Sequence, residues 1–322
     1  MDSLLSRFAE DAYWMARYIE RVESLARILS VTESFGRGRE GGADWLSVLK
    51  LFGDVNAYGE RFKEIEGRNV IKYYTLDKAS PNSIINSLAL ARNNARTLRH
   101  LISVEMWTKI NTMYNRVSEA KARDVAETRL SAFCESIKDE CQLFLGCTHN
   151  TLFRDQVWYF YRLGRFIERC DQTTRLVDIK ARSVASRKAA MAEGIDISEW
   201  NSLLRAAGTY HGYLRRHPRE MTDLTVSGFV LFDPAFPGSL AFCTKEISAV
   251  IEEMQPDITE AAVRDLRRQI KRLERIAKTP PEKMLEDGLH EFVDNVQLEL
   301  IGLHNDFSKH FFPVVEPLAE TT

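Results

Sequence analysis

The stretch RYIERVESLAR at residues 17–27 returns 148 positions later as RFIERCDQTTR at residues 165–175. At that offset Tyr13 meets Tyr161, Arg17 meets Arg165, Ile19 meets Ile167, Glu20 meets Glu168, Arg21 meets Arg169 and Arg27 meets Arg175. Met15/Leu163, Ala16/Gly164, Tyr18/Phe166 and Glu23/Asp171 are close pairs between them. Most of the identities are charged, so a shared apolar period does not account for them. The chain has to find a place for the same Arg-x-x-Glu-Arg helix face twice.

At about 100° per residue, Leu4, Phe8, Met15, Ile19, Val22 and Ala26 fall on one side of the first segment. Glu10, Tyr13, Trp14, Arg17, Glu20, Arg21 and Ser24 fall on the other, with Arg27 at its edge. In the second segment Leu163, Ile167, Cys170 and Thr174 form the apolar stripe, and Tyr161, Arg162, Arg165, Glu168, Arg169 and Gln172 the polar one, with Arg175 again closing the motif. A solvated helix face is rich in Lys and Glu; these are rich in Arg with aromatics interleaved. The guanidinium fork suits carboxylates and phosphates, and both polar faces are therefore expected to be covered.

Two coverings fit. In one, the motif helices pack on each other, Glu20 pairing with Arg165 or Arg169 and Glu168 with Arg17 or Arg21, a buried ion network that enforces alignment more than it stabilises. In the other, the arginines line a cleft for an anionic group, with Glu20 or Glu168 as a base. A clasp of the first kind can leave one end open as a pocket of the second.

The rest of the chain reads as helix. The first motif helix is expected over 3–34, ended by GRGREGG at 36–42, and a second helix over 44–64. IKYYT at 71–75 is the one strand-like run. Ser80-Pro81 is expected to cap a long helix reaching Tyr114, followed by helices over 117–146 and 151–182. Helices near 197–216 and 219–231 come next, then one started by Asp233-Pro234. Capping-box spacings at Asp257–Glu260 and Thr279–Glu282 open two more, over 260–277 and 281–310. Nine or ten helices with almost no strand predict an all-α, multi-helix bundle, one domain over 1–322 built on an internal pseudo-duplication.

Several function classes are excluded on these grounds. A net charge of −2 gives no general affinity for nucleic acid. No apolar run reaches membrane-spanning length, and the opening MDSLLSRFAEDAYW has acids where a signal peptide is basic, so a cytoplasmic protein is expected. Cys134, Cys141, Cys147, Cys170 and Cys243 read as reduced thiols, and Cys141, Cys147 and His149 lack metal-site spacing, so no metal is assigned. No Walker loop, HExxH or GxSxG occurs, so no cofactor is assigned.

Other stretches are ambiguous. Arg92, Asn93 and Arg96 form a polar cluster that either joins the motif cleft or faces solvent. YHGYLRRHPRE (210–220) either binds an anion or complements a helix dipole, LFDPAFPGSL (231–240) reads as a rigid turn with Asp233 as cap, and Phe311 and Phe312 either close the core or contact another protein.

SRFAEDAYWMARYIERVESLARIL (6–29), ALARNNARTLRHLISVEMW (89–107), FYRLGRFIERCDQTTRLVD (160–178) and FVLFDPAFPGSLAFC (229–243), in that order, resemble the bacterial alpha-E domain family, all-helical proteins with a Glu-Arg motif. The resemblance runs over about residues 3–310; Trp158 stands where the first copy has Glu10, so a role for Glu10 does not carry to the second half. The family is largely uncharacterised. The resemblance implies a neighbourhood of circularly permuted ATP-grasp ligase-like proteins, and of transglutaminase-like ones, hence peptide or amide chemistry.

Three functions are open at this point. The first is a scaffold or partner subunit of an ATP-grasp-type ligase, its cleft of Glu10, Tyr13, Trp14, Arg17, Arg21, Arg27, Tyr161, Arg165, Arg169 and Arg175 holding an acidic peptide, amino acid or partner. The second is an amide-transferring or hydrolysing enzyme using Glu20 or Glu168. The third is a clasp alone.

Overall fold

A computed structural model of the chain describes residues 6–37, 42–189, 197–254 and 258–312, with side chains to residue 180 in the second span. Among the described residues there are fifteen helices and no strand. The first, α1 (Ser6–Gly36), is buried on more than one side, since Ala9, Tyr13, Met15, Ala16, Val22, Leu25, Ala26 and Leu29 are all inaccessible. That makes it a central helix. The face expected to be polar is covered as well as the apolar one.

Helix α2 (Trp45–Phe52) starts on Asp44, whose carboxylate accepts the Ser47 N–H at 3.0 Å. It stops at Gly53, which has the left-handed φ of 70° that favours glycine. The single helix expected over 44–64 is therefore interrupted, and α3 (Val55–Gly59) is a short continuation.

IKYYT, expected as strand-like, lies in α4 (Gly67–Thr75). Val70, Ile71, Tyr73 and Tyr74 are buried, and the Thr75 hydroxyl donates to the Ile71 carbonyl at 2.7 Å, one helical turn back. Local preference for strand loses here because burial in a helix layer satisfies the backbone within the segment.

The helix expected from Ser80 to Tyr114 is two. In α5 (Ile84–Thr97) the cap is Ser83, accepting from the Asn86 N–H at 3.3 Å, while Ser80 stays in the preceding turn. The chain then breaks, and Ser103 caps α6 (Val104–Glu119) by accepting from the Met106 N–H at 3.2 Å. Two long helices follow, α7 (Glu127–Thr151) and α8 (Gln156–Ala189).

Beyond these come α9 (Ile197–Ala206) and α10 (Tyr210–Arg216), parted at Gly208 with φ of 71°. Helix α11 (Asp223–Phe232) opens on a capping box between Thr222 and Thr225. The next helix, α12 (Leu240–Met254), begins later than Asp233-Pro234 because Ser239 is its cap, accepting the Phe242 N–H at 3.0 Å. Asp233 instead accepts the Ala235 N–H at 2.8 Å inside the turn.

Thr259 caps α13 (Glu260–Ile276); the Asp257 end of the expected capping box lies outside the described residues. The expected box at Thr279–Glu282 does not form, since α14 (Pro281–Asp287) starts after Pro280 with no side-chain cap. Gly288, with φ of 103°, separates it from α15 (Leu289–Phe311).

Helix α1 packs along α8, with α5 and α7 on its other flanks, and α8 in turn carries α12 and α15. Each fully buried Leu, Ile or Val on these faces contributes about 1.5–3 kcal/mol. Around the C-terminal half of α8 a second apolar cluster gathers Trp200, Leu203, Leu204, Tyr213, Val226, Phe229, Met284 and Val293 from α9–α11, α14 and α15. Phe312 lies 5.3 Å from the Tyr13 ring and Phe311 5.3 Å from Phe160, centroid to centroid, so both close the core. Among the described residues no helix is long and apolar enough to cross a membrane.

Candidate functional site

The two motif helices grip each other through their Glu-Arg pairs. Glu168 on α8 accepts from Arg17 Nε at 2.7 Å and from Arg21 Nε and Nη2 at 2.7 and 3.0 Å, both arginines being on α1. Glu20 on α1 accepts from Arg169 Nε and Nη2 at 2.5 and 3.0 Å. Arg165 Nε sits 3.5 Å from Glu20, an ion pair without a hydrogen bond. Every arginine partner comes from the opposite helix, as the first of the two coverings requires.

Helical spacing explains the reciprocity. Arg17, Glu20 and Arg21 occupy one face at i, i+3 and i+4, so one carboxylate reaches across while the flanking guanidiniums reach back. The Glu168 side chain is 0% exposed and that of Glu20 is 12%. Burial pushes the Glu168 carboxyl up, but Arg21 and Arg17, by charge and hydrogen bonds, override it and hold the group well below the carboxylate range.

Each helix adds a second pair one turn on. Arg27 Nη2 donates to Glu23 at 2.5 Å, and Arg175 Nε donates to Asp171 at 2.8 Å. Glu23 is buried, which raises its carboxyl, and the neighbouring Glu20 charge raises it further. Burial raises Asp171 likewise, against the pull of Arg175.

The aromatics meet other fates than a polar face implies. Tyr13 and Tyr161 are buried in the core. Arg17 Nη1 donates to the Tyr13 oxygen at 3.1 Å, leaving the phenol to donate to His304 Nδ1 on α15 at 3.0 Å. Burial first, then the Arg17 charge, lowers His304 from 6.5 to about 4, which suits an acceptor. Trp14 stacks on Tyr18, with Arg17 4.7 Å above its ring. Tyr161 stacks on Trp158 at 6.2 Å, and burial raises its phenol to about 12. Glu10 is half-buried on α1, and burial raises its carboxyl.

Arg92, Asn93 and Arg96 are not brought to the clasp. Arg92 Nε donates to Asn111 on α6 at 2.7 Å and stacks over Trp107 and Tyr114, while Asn93 and Arg96 are exposed. The helix face that holds them turns toward α6 and solvent, which separates them from the paired motif.

At one end of the clasp lies a cavity of about 660 Å³, lined on one side by Glu20, Glu23, Arg27, Arg169 and Gln172. Gln172 donates to Glu168 at 3.0 Å and accepts from Ser24 at 3.4 Å, tying the cavity floor to the buried pair. The opposite wall is Gly208, Thr209, Arg215 and Arg216 with the turn from Asp233 to Gly238. Arg215 and Arg216 belong to the basic-aromatic stretch and Asp233 to Gly238 to the proline turn of the sequence, neither of which, read alone, indicated a shared site. Gly208 permits the closure: a methyl group there would sit 1.8 Å from Arg27 Nη1. Arg216 reaches Asp233 at 3.3 Å across the wall.

The arrangement holds anions better than it moves protons. Both motif carboxylates are occupied by arginines, while guanidinium donors are left over at the cavity.

A family model named Alpha-E, described as a predicted alpha-helical domain with a conserved ER motif, matches residues 4–312. An uncharacterized protein of Mycobacterium bovis is 22% identical over 323 aligned positions, which cover 92% of this chain and 35% of the relative. Two uncharacterized proteins of Mycobacterium tuberculosis match with the same identity and coverage. The chain thus spans about a third of the length of these curated relatives. No solved structure matches it.

Proposed function

The chain belongs to the Alpha-E family, and on that footing we propose that it is a scaffold or partner subunit of a bacterial, cytoplasmic ATP-grasp-type system that makes or modifies peptide or amide bonds, its cavity holding an anionic group of substrate or partner. One observation carries the anion-holding role. The motif carboxylates are each gripped by arginines of the opposite helix, whereas Arg27, Arg169 and Arg215 line a cavity of about 660 Å³ with donors to spare. A site of that size fits a small ligand or a peptide end.

The partner role rests on the family resemblance and on the absence of a Walker loop in the sequence; the GxGxxG spelled at 36–41 follows α1 and not the strand that a dinucleotide loop needs. An ATP site then belongs to the other protein. A base at Glu168 is disfavoured because two arginines stabilise its ionised form, and Glu20 already accepts two hydrogen bonds from Arg169.

The test is co-purification. The tagged chain, co-expressed with the circularly permuted ATP-grasp-type protein of the same genome, is expected to associate at micromolar concentration by size-exclusion chromatography with light scattering. Two separate monodisperse species would overturn the partner role.

A further inference from the structure

We propose that the cavity beside the clasp is a carboxylate site for a molecule with a single negative charge and an apolar body; the assignment rests on the anion-holding role above and specifies its ligand class. Charge comes first. Arg27, Arg169, Arg215 and Arg216 face the cavity together with Glu20, Glu23 and Asp233, so with all seven ionised one positive charge is in excess. One carboxylate neutralises that excess. A phosphate dianion overshoots it and meets the repulsion of Glu20 and Glu23.

The free donors have the right shape. Arg27 gives only Nη2 to Glu23, and Arg169 gives Nε and Nη2 to Glu20. Arg216 is held by Asp233. Arg215 has no hydrogen bond or ion pair among the described residues, and it is exposed on the cavity wall. A planar guanidinium with its fork unoccupied binds a carboxylate through two parallel hydrogen bonds.

The other half of the cavity is apolar. Leu176 of α8, Ala235 and Pro237 face that space, beside the mostly buried Phe229 and Phe236, which stack 5.8 Å apart at 12°. A ligand bearing only charge would leave these surfaces wet, so the complementary molecule carries an apolar body next to its carboxylate.

Titration calorimetry on the full chain tests this with 3-phenylpropionate, phenyl phosphate and inorganic phosphate. 3-Phenylpropionate is expected to bind, phenyl phosphate at least tenfold more weakly, and inorganic phosphate not at all. Arg215→Ala, at an exposed position, is expected to keep the helical circular dichroism and melting of the wild type and to weaken 3-phenylpropionate at least tenfold. Phe236→Ala is expected to weaken it as well. Equal or tighter phenyl phosphate binding, unchanged affinity in Arg215→Ala, or no heat from any probe each overturns the assignment. Co-purification with the ATP-grasp-type protein, run on the same preparations, separates the two ideas: association without carboxylate binding sinks only the ligand class.

Discussion

Gly164 on α8 lies against the main-chain carbonyl of Tyr13 on α1, so close that a methyl group on its Cα would sit 2.1 Å from that oxygen. The motif helices cross where one of them has no side chain. This sets the reach of the clasp, since Arg17 and Glu168 lie one turn beyond Tyr13 and Gly164 on their helices.

Gly164→Ala tests that approach. Helix propensity alone favours alanine by about 1 kcal/mol. The obstacle is backbone, which cannot rotate aside, so overpacking prevails and a net loss of about 1–3 kcal/mol is expected. Denaturant unfolding checks it, and a stabilised variant would show that the helices have room to spare.

The two motif carboxylates are not equal. Glu168→Gln takes from Arg17 and Arg21 the carboxylate that both grip and leaves only the more distant Asp171 charge, an expected loss of about 3–5 kcal/mol. Glu20→Gln acts where the side chain is 12% exposed, and a smaller loss of about 1.5–3 kcal/mol is expected. Equal losses in parallel unfolding titrations would show that the asymmetry in burial carries no weight.

Acid stability follows from His304 and Glu168. His304 titrates at 6.5 when unfolded and about 4 when folded, so the unfolded chain takes up a proton that the folded one refuses. Its contribution is present above that window and lost as pH falls through it. Glu168 is depressed below its ordinary 4.5, so its contribution is lost only as pH falls below that value. Asp11, raised by burial to about 6, acts in the opposite direction, so the comparison has to be between variants. Melting temperatures of His304→Phe are expected to fall less than those of the wild type between pH 6.5 and 4, and parallel curves would assign the acid limb to other groups.

Gly208→Ala separates stability from binding. Its left-handed φ costs a side chain about 1–2 kcal/mol, and the methyl group displaces the Arg27 guanidinium from the cavity. Lower stability together with loss of 3-phenylpropionate binding is expected from calorimetry and thermal melting. Full affinity in a destabilised variant would place Arg27 outside the ligand site.

The reciprocal clasp was legible because Arg17, Glu20 and Arg21 share a helical face, and because arginines with aromatics between them are out of place in water. Helical class was legible from period alone. The break between Leu98 and Ser103 was not, since its only mark is a single serine inside a continuous amphipathic pattern. The IKYYT segment misled because its side chains favour strand locally, while the packing that decides its state comes from residues distant in sequence. Tyr13 and Tyr161 were placed on a polar face, which shows the angle of a side chain and not what will cover it. The cavity was hidden for a related reason: Arg27, Arg169, Arg215 and Phe236 come from four separate segments, and none announces the others.

The grip of Arg169 on Glu20 spans 149 positions of chain. Damage at one motif is therefore felt in the other, and no change within α1 can restore a carboxylate that α8 has lost. A genetic screen for suppressors of Glu20→Lys would be drawn to positions 165 and 169, where an acid in place of arginine rebuilds the attraction with its sign reversed. The two stretches are bound to a common fate, and drift in either is checked by a residue half a protein away.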